Sequence, residues 1–376
     1  MILCVFKLSL CLLLHLKMSG ELLFIIGFLA IVVLILIIDL GLFSKKNKNH
    51  ESTKSVSLKQ ALMMSVFVIC VALGFYFFLM EFGYYLHNID SMERLQQVIA
   101  KHHHPVKIIP GDLQTSLELY DKNLALEYIT GYIVEYALSV DNIFVILLIF
   151  GSFKVAEKNY HKVLIWGILG AIIMRFIFIF VGASLISRFE WIMYVFGAFL
   201  VFTGIRMFFN KEEEHIDTEK HPVVKFANKY FKVHNKFEGN KFFVVVNGIK
   251  KMTPLFLVLL IIEFTDLIFA VDSIPAIFSV TKDPYIVFFS NIFAIIGLRS
   301  MFFLLANIVD KFRYLKTGLA FLLTFIGLKM IFHHQLDDWG FTTTHSLLVI
   351  MGILGISIAA SLLVSAFADK KEKIEH

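Results

Sequence analysis

Nine stretches of this chain are apolar over roughly the twenty residues that an α-helix needs to cross the hydrocarbon core of a bilayer, and that limits the fold more tightly than anything else in it. They run from about 22 to 43, 60 to 81, 124 to 151, 162 to 187, 190 to 210, 253 to 280, 284 to 309, 315 to 333 and 345 to 368. Lipid offers no hydrogen-bond partners, so each stretch must satisfy its own backbone groups as a helix. The expected fold class is all-α, a polytopic membrane helical bundle of about nine spans. Composition agrees, with 58% hydrophobic residues and 41 Phe, which read as lipid-facing and packing surface. The three cysteines, Cys4, Cys11 and Cys70, have no paired spacing, which argues against a disulfide framework or a thiolate metal site.

The net charge of +5 does not point to nucleic acid, because the basic residues sit in short segments between apolar runs. Alternate segments divide unequally: 44–59, 152–162, 211–252, 310–316 and the tail hold 23 Lys and Arg, and the remaining connections hold six. The richer side is expected to be cytoplasmic, leaving the amino terminus outside and the carboxyl terminus inside. The chain then divides into an amino-terminal extension (1–21), two leading spans (22–81), an external loop (82–123), a first three-helix unit (124–210), a cytoplasmic loop (211–252), a second three-helix unit (253–333), a final span (345–368) and a cytoplasmic tail (369–376). The first 17 residues look like a secretory signal without a small-residue cleavage site, and they are read either as retained or as lying upstream of a start at Met18. His102, His103 and His104 in the external loop are read as solvated, since adjacent histidines on a flexible loop do not all face one ion. The cytoplasmic loop is expected to lie against anionic lipid.

Two apolar stretches carry acids where a span should hold hydrocarbon: EYALSVDNIFVI from Glu135 and EFTDLIFAVDSIPAI from Glu263. Placing Asp141 over Asp272 aligns them, with Glu135 on Asp266 and Asn142 on Ser273. The likeness continues through the next two spans, where Arg175 matches Arg299 with one gap and Arg206 matches Lys329. Each unit has three spans, an odd number, so the second enters the membrane from the opposite side. Inverted repeats of this kind place ion sites near the bilayer midplane where the halves meet.

Glu135, Ser139 and Asn142 share a helix face, as do Asp266 and Ser273. Asp141 and Asp272 lie six residues past the first acid, about 120° round an ideal helix. Pro275 would clash with the carbonyl of Val271, so a broken helix is expected there, turning Asp272 inward. Intramembrane carboxylates are costly unless paired or bound to a cation, so Asp39, Glu135, Asp141, Glu263, Asp266 and Asp272 are candidate ligands, with Asn142 and Ser273 beside them. Arg175, Arg299 and Lys329 are read as supporting charge partners, and with Arg206 they leave an excess of two negative charges that one divalent cation would balance. The ligands are hard oxygens, joined by the hydroxyls of Ser139 and Thr265, which suits magnesium, calcium or manganese. The competing reading is that the acids merely pair with the arginines and hold helices together, and Asn291 reads as an interhelical hydrogen-bonder.

GYIVEYALSVDNIFVILLIF, WGILGAIIMRFIFIFVGASLI, TPLFLVLLIIEFTDLIFAVDSIPAIF and GLAFLLTFIGLKM closely resemble the TerC family of bacterial integral membrane proteins, named for tellurium resistance and including the Alx branch. The likeness runs from about residue 24 to 366. It implies a bacterial inner-membrane protein and, for the Alx-like branch, manganese export, with the acids above carried over as the family's intramembrane set. The expected function is export of a divalent metal, manganese first, by alternating access with protons as counter-ion. The alternative is a membrane scaffold in a tellurite or envelope stress complex, with a soluble partner at 211–252 and no transport of its own. No nucleophile and base pair, phosphate loop or cofactor motif occurs, so neither enzyme activity nor a tightly bound cofactor is expected.

Overall fold

The computed structural model describes residues 20–43, 58–189, 191–209, 224, 233–234, 236–246, 248–306 and 314–375. The proposed extension up to residue 19, the basic segment 44–57 and most of 210–232 and 307–313 lie outside the described residues.

Eleven α-helices follow in order among the described residues: α1 (Gly20–Phe43), α2 (Leu58–Phe82), α3 (Met92–His102), α4 (Leu113–Ser152), α5 (Tyr160–Arg188), α6 (Trp191–Phe209), α7 (Pro254–Phe278), α8 (Pro284–Leu305), α9 (Leu315–Ile331), α10 (His333–Asp338) and α11 (Thr343–Glu375). Eight of them are long and apolar enough to cross a membrane. The ninth expected span, α9, has 17 residues, about 25 Å of helix and the lower limit for spanning. The chain is an all-α polytopic membrane protein. The one sheet among the described residues is a hairpin of β1 (Phe243–Val246) and β2 (Ile249–Met252), antiparallel, inside the connection read as the cytoplasmic loop.

Two boundaries depart from the sequence reading. Helix α4 starts at Leu113, eleven residues before the apolar run, because Asp112 caps it by accepting from Thr115 N at 3.0 Å and the polar first turns need no lipid. The final helix likewise runs on to Glu375, through the segment read as a tail. The connection 82–123 is no solvated loop. A 3₁₀ turn at Gly83–His87 and α3, capped by Ser91, fold it back onto the bundle, and His102 and His104 are buried. His103 alone points outward, since its left-handed backbone at φ 54° ends α3 and turns its two neighbours inward.

The expected break at Pro275 is also absent: α7 is continuous from Pro254 to Phe278. Pro275 sits in the last turn, where the helix is about to end and removal of one hydrogen bond costs little.

Helix α8 is the centre of the bundle. Of its most apolar stretch 94% is buried, against 22% for α6 and 17% for α11, whose apolar surfaces suit lipid. Phenylalanines fill the space around it, with Phe28 of α1 and Phe289 of α8 at 4.4 Å and Phe75 of α2 and Phe293 at 5.2 Å between ring centroids.

The packing is closed under exchange of the two three-helix units. Helix α4 meets α7, α5 meets α8 and α6 meets α9, and α4 packs on α8 just as α7 packs on α5. The α6–α9 contact gives the direction. A Cβ on Gly204 would lie 2.7 Å from the Ala320 carbonyl, and one on Gly327 would lie 2.6 Å from that of Gly197. Early residues of one helix therefore meet late residues of the other, which makes the pair antiparallel. Glycine is needed at both crossings because the backbones touch, and small residues are what allow helices to associate in lipid.

Candidate functional site

Arg175, fully buried on α5, is the hub of the acidic region. Its Nη1 donates to Glu135 of α4 and, at 2.7 Å, to Asn291 Oδ1 of α8. Its Nη2 donates to Asp266 Oδ1 of α7 at 3.0 Å, and Asn291 Nδ2 returns to Glu135 Oε2 at 3.2 Å. One guanidinium thus ties four helices from both units. A buried ion network is costly to desolvate and is favoured only where hydrogen bonds offset that cost; here the guanidinium makes four, to Glu135, Asn291 and Asp266. Asn291 matches the interhelical role read for it, and Glu135 and Asp266 meet the arginine that the competing reading called for.

The other acids are placed differently. Glu263 lies one turn before Asp266, against Gly170 of α5, where any Cβ would overlap its carboxylate; its Oε2 is buried with no hydrogen-bond partner among the described residues. Asp272 Oδ1 accepts from Thr203 Oγ1 of α6 at 3.4 Å, and Asp141 is near enough for the two like charges to repel. The Ser139 and Ser273 hydroxyls are buried without a partner among the described residues. Thr265, by contrast, turns its hydroxyl to the Ile261 carbonyl of its own helix at 2.8 Å. Buried oxygens without partners are rare and call for an explanation such as an unseen ion.

A cleft of about 40 Å³ opens beside the hub, with Asn142, Thr265, Asp266 and Arg299 among its lining residues. That is room for about three water-sized guests. Arg299 is buried, its Nη1 3.2 Å from His161 Nε2 of α5. Lys329 donates to the Ser279 carbonyl beyond α7 at 2.8 Å, while Arg206 is exposed. The side chain of Asp39, near the end of α1, lies outside the described residues. Thr203 and Gly170 were missed by the sequence reading. Neither carries charge, and only the fold puts them against an acid.

The region assembles carboxylates, an amide and hydroxyls: Glu135 and Asp266 are held by Arg175, Asp272 accepts from Thr203, and Glu263 Oε2 and the Ser139 and Ser273 hydroxyls have no hydrogen-bond partner among the described residues. The match to the model of the Integral membrane protein TerC family covers residues 120–373. An uncharacterized membrane protein of Myxococcus xanthus, STKORF319, is 41% identical over 92% of this chain and 94% of its own length. A Salmonella typhi protein provisionally described as the membrane-bound redox modulator Alx is 41% identical over 92% of this chain and 95% of its own. The Escherichia coli K12 protein of the same description is 46% identical over 66% of this chain and 76% of its own length. No solved structure gives a significant match.

Proposed function

The chain belongs to the TerC family of integral membrane proteins, and on that premise we propose that it exports a divalent cation, manganese before others, by alternating access. The observation that supports this best is the set of buried oxygens on Glu263, Ser139 and Ser273 that have no hydrogen-bond partner among the described residues, lying on the two helices that exchange under the repeat. Antiparallel halves give the rocking pair that alternating access requires. Oxygen ligands without thiolate or imidazole favour manganese, magnesium or calcium over zinc and copper.

Arg175 restrains Glu135 and Asp266, so the moving cation would be held by Glu263, Asp141 and Asp272 with Asn142 and Ser273. Charge suggests the counter-ion. Five described intramembrane carboxylates stand against Arg175, Arg299 and the partly buried Lys329, an excess of two negative charges that one divalent cation balances. A carboxylate that releases metal in a desolvated site takes up a proton in its place. In this reading the membrane is the bacterial inner membrane, the amino terminus is outside and the 211–252 connection is cytoplasmic.

The description of the relatives as redox modulators favours a second reading, a membrane component that acts on redox balance without carrying an ion. Among the described residues the only cysteine is Cys70, which is free and exposed on α2, so no dithiol is available there. A transport assay separates the two. Inside-out vesicles enclosing a metal-sensitive dye are expected to take up manganese fastest, magnesium and calcium more slowly and zinc least. Vesicles that match protein-free controls for all four metals would leave the redox or scaffold reading standing.

A further inference from the structure

Three histidines and an aspartate converge where the 3₁₀ turn after α2, the end of α3 and the α7–α8 turn meet. We propose that His87, His102, His104 and Asp283 form a second, resident site for a borderline-soft divalent metal, zinc above manganese or magnesium. The ligand atoms of His87, His102 and Asp283 all lie within 4.8 Å of one another, and all three residues are buried. Asp283 divides its carboxylate: Oδ1 caps α8 by accepting from Tyr285 N at 3.0 Å, and Oδ2 faces His87 Nε2 at 2.8 Å.

His104 supplies the argument that this is more than a hydrogen-bonded latch. Only 4% exposed, it donates Nδ1–H to Glu127 Oε1 at 3.0 Å. Glu127 is itself held by Asn123 at 2.7 Å and Thr281 at 2.5 Å. That leaves Nε2 as the ring nitrogen turned inward, 3.9 Å from Asp283 Oδ2, buried and without a hydrogen-bond partner among the described residues. A carboxylate gripping the far nitrogen is how metal-binding imidazoles are oriented in proteins. The His102 ring records no hydrogen bond to another described residue; it stacks on His87 at 5.0 Å and lies 5.8 Å from His104.

Three imidazoles and one carboxylate match zinc in coordination number and ligand type. A cavity of about 330 Å³, with His102 and Tyr285 on its wall, offers an entry path. Glu127 precedes Glu135 by eight residues, about 12 Å along α4, so this site is separate from the acids around Arg175.

The test uses full-length protein purified without a histidine tag, stripped with chelator and loaded with zinc alone, and the site is independent of the transport reading. One zinc per chain should survive gel filtration, and cobalt in its place should give the intense visible absorption of a four-coordinate ion. His102→Ala should weaken zinc at least about 100-fold, and Glu127→Gln, which loses only the orienting carboxylate, about 10- to 100-fold. Asp272→Asn should keep full zinc binding, so loss of transport and loss of this site are told apart. Wild-type protein that retains no zinc overturns the proposal without recourse to any variant, and so does a folded His102→Ala that binds zinc as tightly as wild type.

Discussion

Asp272→Asn is expected to reduce manganese flux to the level of protein-free vesicles while leaving the protein folded in the membrane. The substitution keeps the side chain's shape, and the Thr203 hydroxyl can still donate to the new amide oxygen. What it removes is a charge. Asp272 and Asp141 repel one another when both are ionised, and a divalent cation between the repeats is what would make that arrangement favourable. Asp141→Asn should have the same effect, since the repeat makes the two residues equivalents. Flux close to wild type in either variant, with normal membrane levels, would remove these carboxylates from the transport path.

Arg175→Met is expected to destabilise the fold by about 3–5 kcal/mol, the usual consequence of deleting one partner of a buried ion network. The guanidinium is fully buried and joins α4, α7 and α8 to α5. Without it Glu135 and Asp266 stay in hydrocarbon, either charged and unpaired or protonated at a cost. Thermal unfolding in detergent should show the loss. Arg175→Met combined with Glu135→Gln should recover part of it, because one of the two orphaned charges is then gone. A single variant as stable as wild type would mean that Arg175 serves the cation path and not the scaffold.

The sequence disclosed the parts of this protein that obey the bilayer. Apolar runs located the long helices, and the alignment of Asp141 on Asp272 carried through to packing in which α4, α5 and α6 exchange with α7, α8 and α9. Polar helix is harder to read. The first turns of α4 contain LQTSLELYDKN, which has no apolar run to mark it, and its cap at Asp112 is legible only once the helix is suspected. The β-hairpin did leave a sign, Asn247-Gly248 between two short apolar and basic runs, the pairing that favours a tight turn.

The histidine cluster was misread for a physical reason. Three adjacent histidines look like loop, and nothing local says that His103 will take a left-handed backbone and send its neighbours inward. Their partner Asp283 is 196 residues from His87. Within the acidic set, residue type announced the buried carboxylates but not their division. Arg175 reaches Asp266 and Asn291 because α5 packs on both α7 and α8, whereas Asp272 meets Thr203 of α6, a contact that no spacing on α7 predicts.

Manganese binding to purified protein, followed by the loss of the free-ion electron paramagnetic resonance signal, examines the acids without requiring transport. Wild-type protein should bind one more manganese ion per chain than Asp272→Asn does, with His102→Ala matching wild type. Equal binding by wild type and Asp272→Asn would contradict a cation site between the repeats.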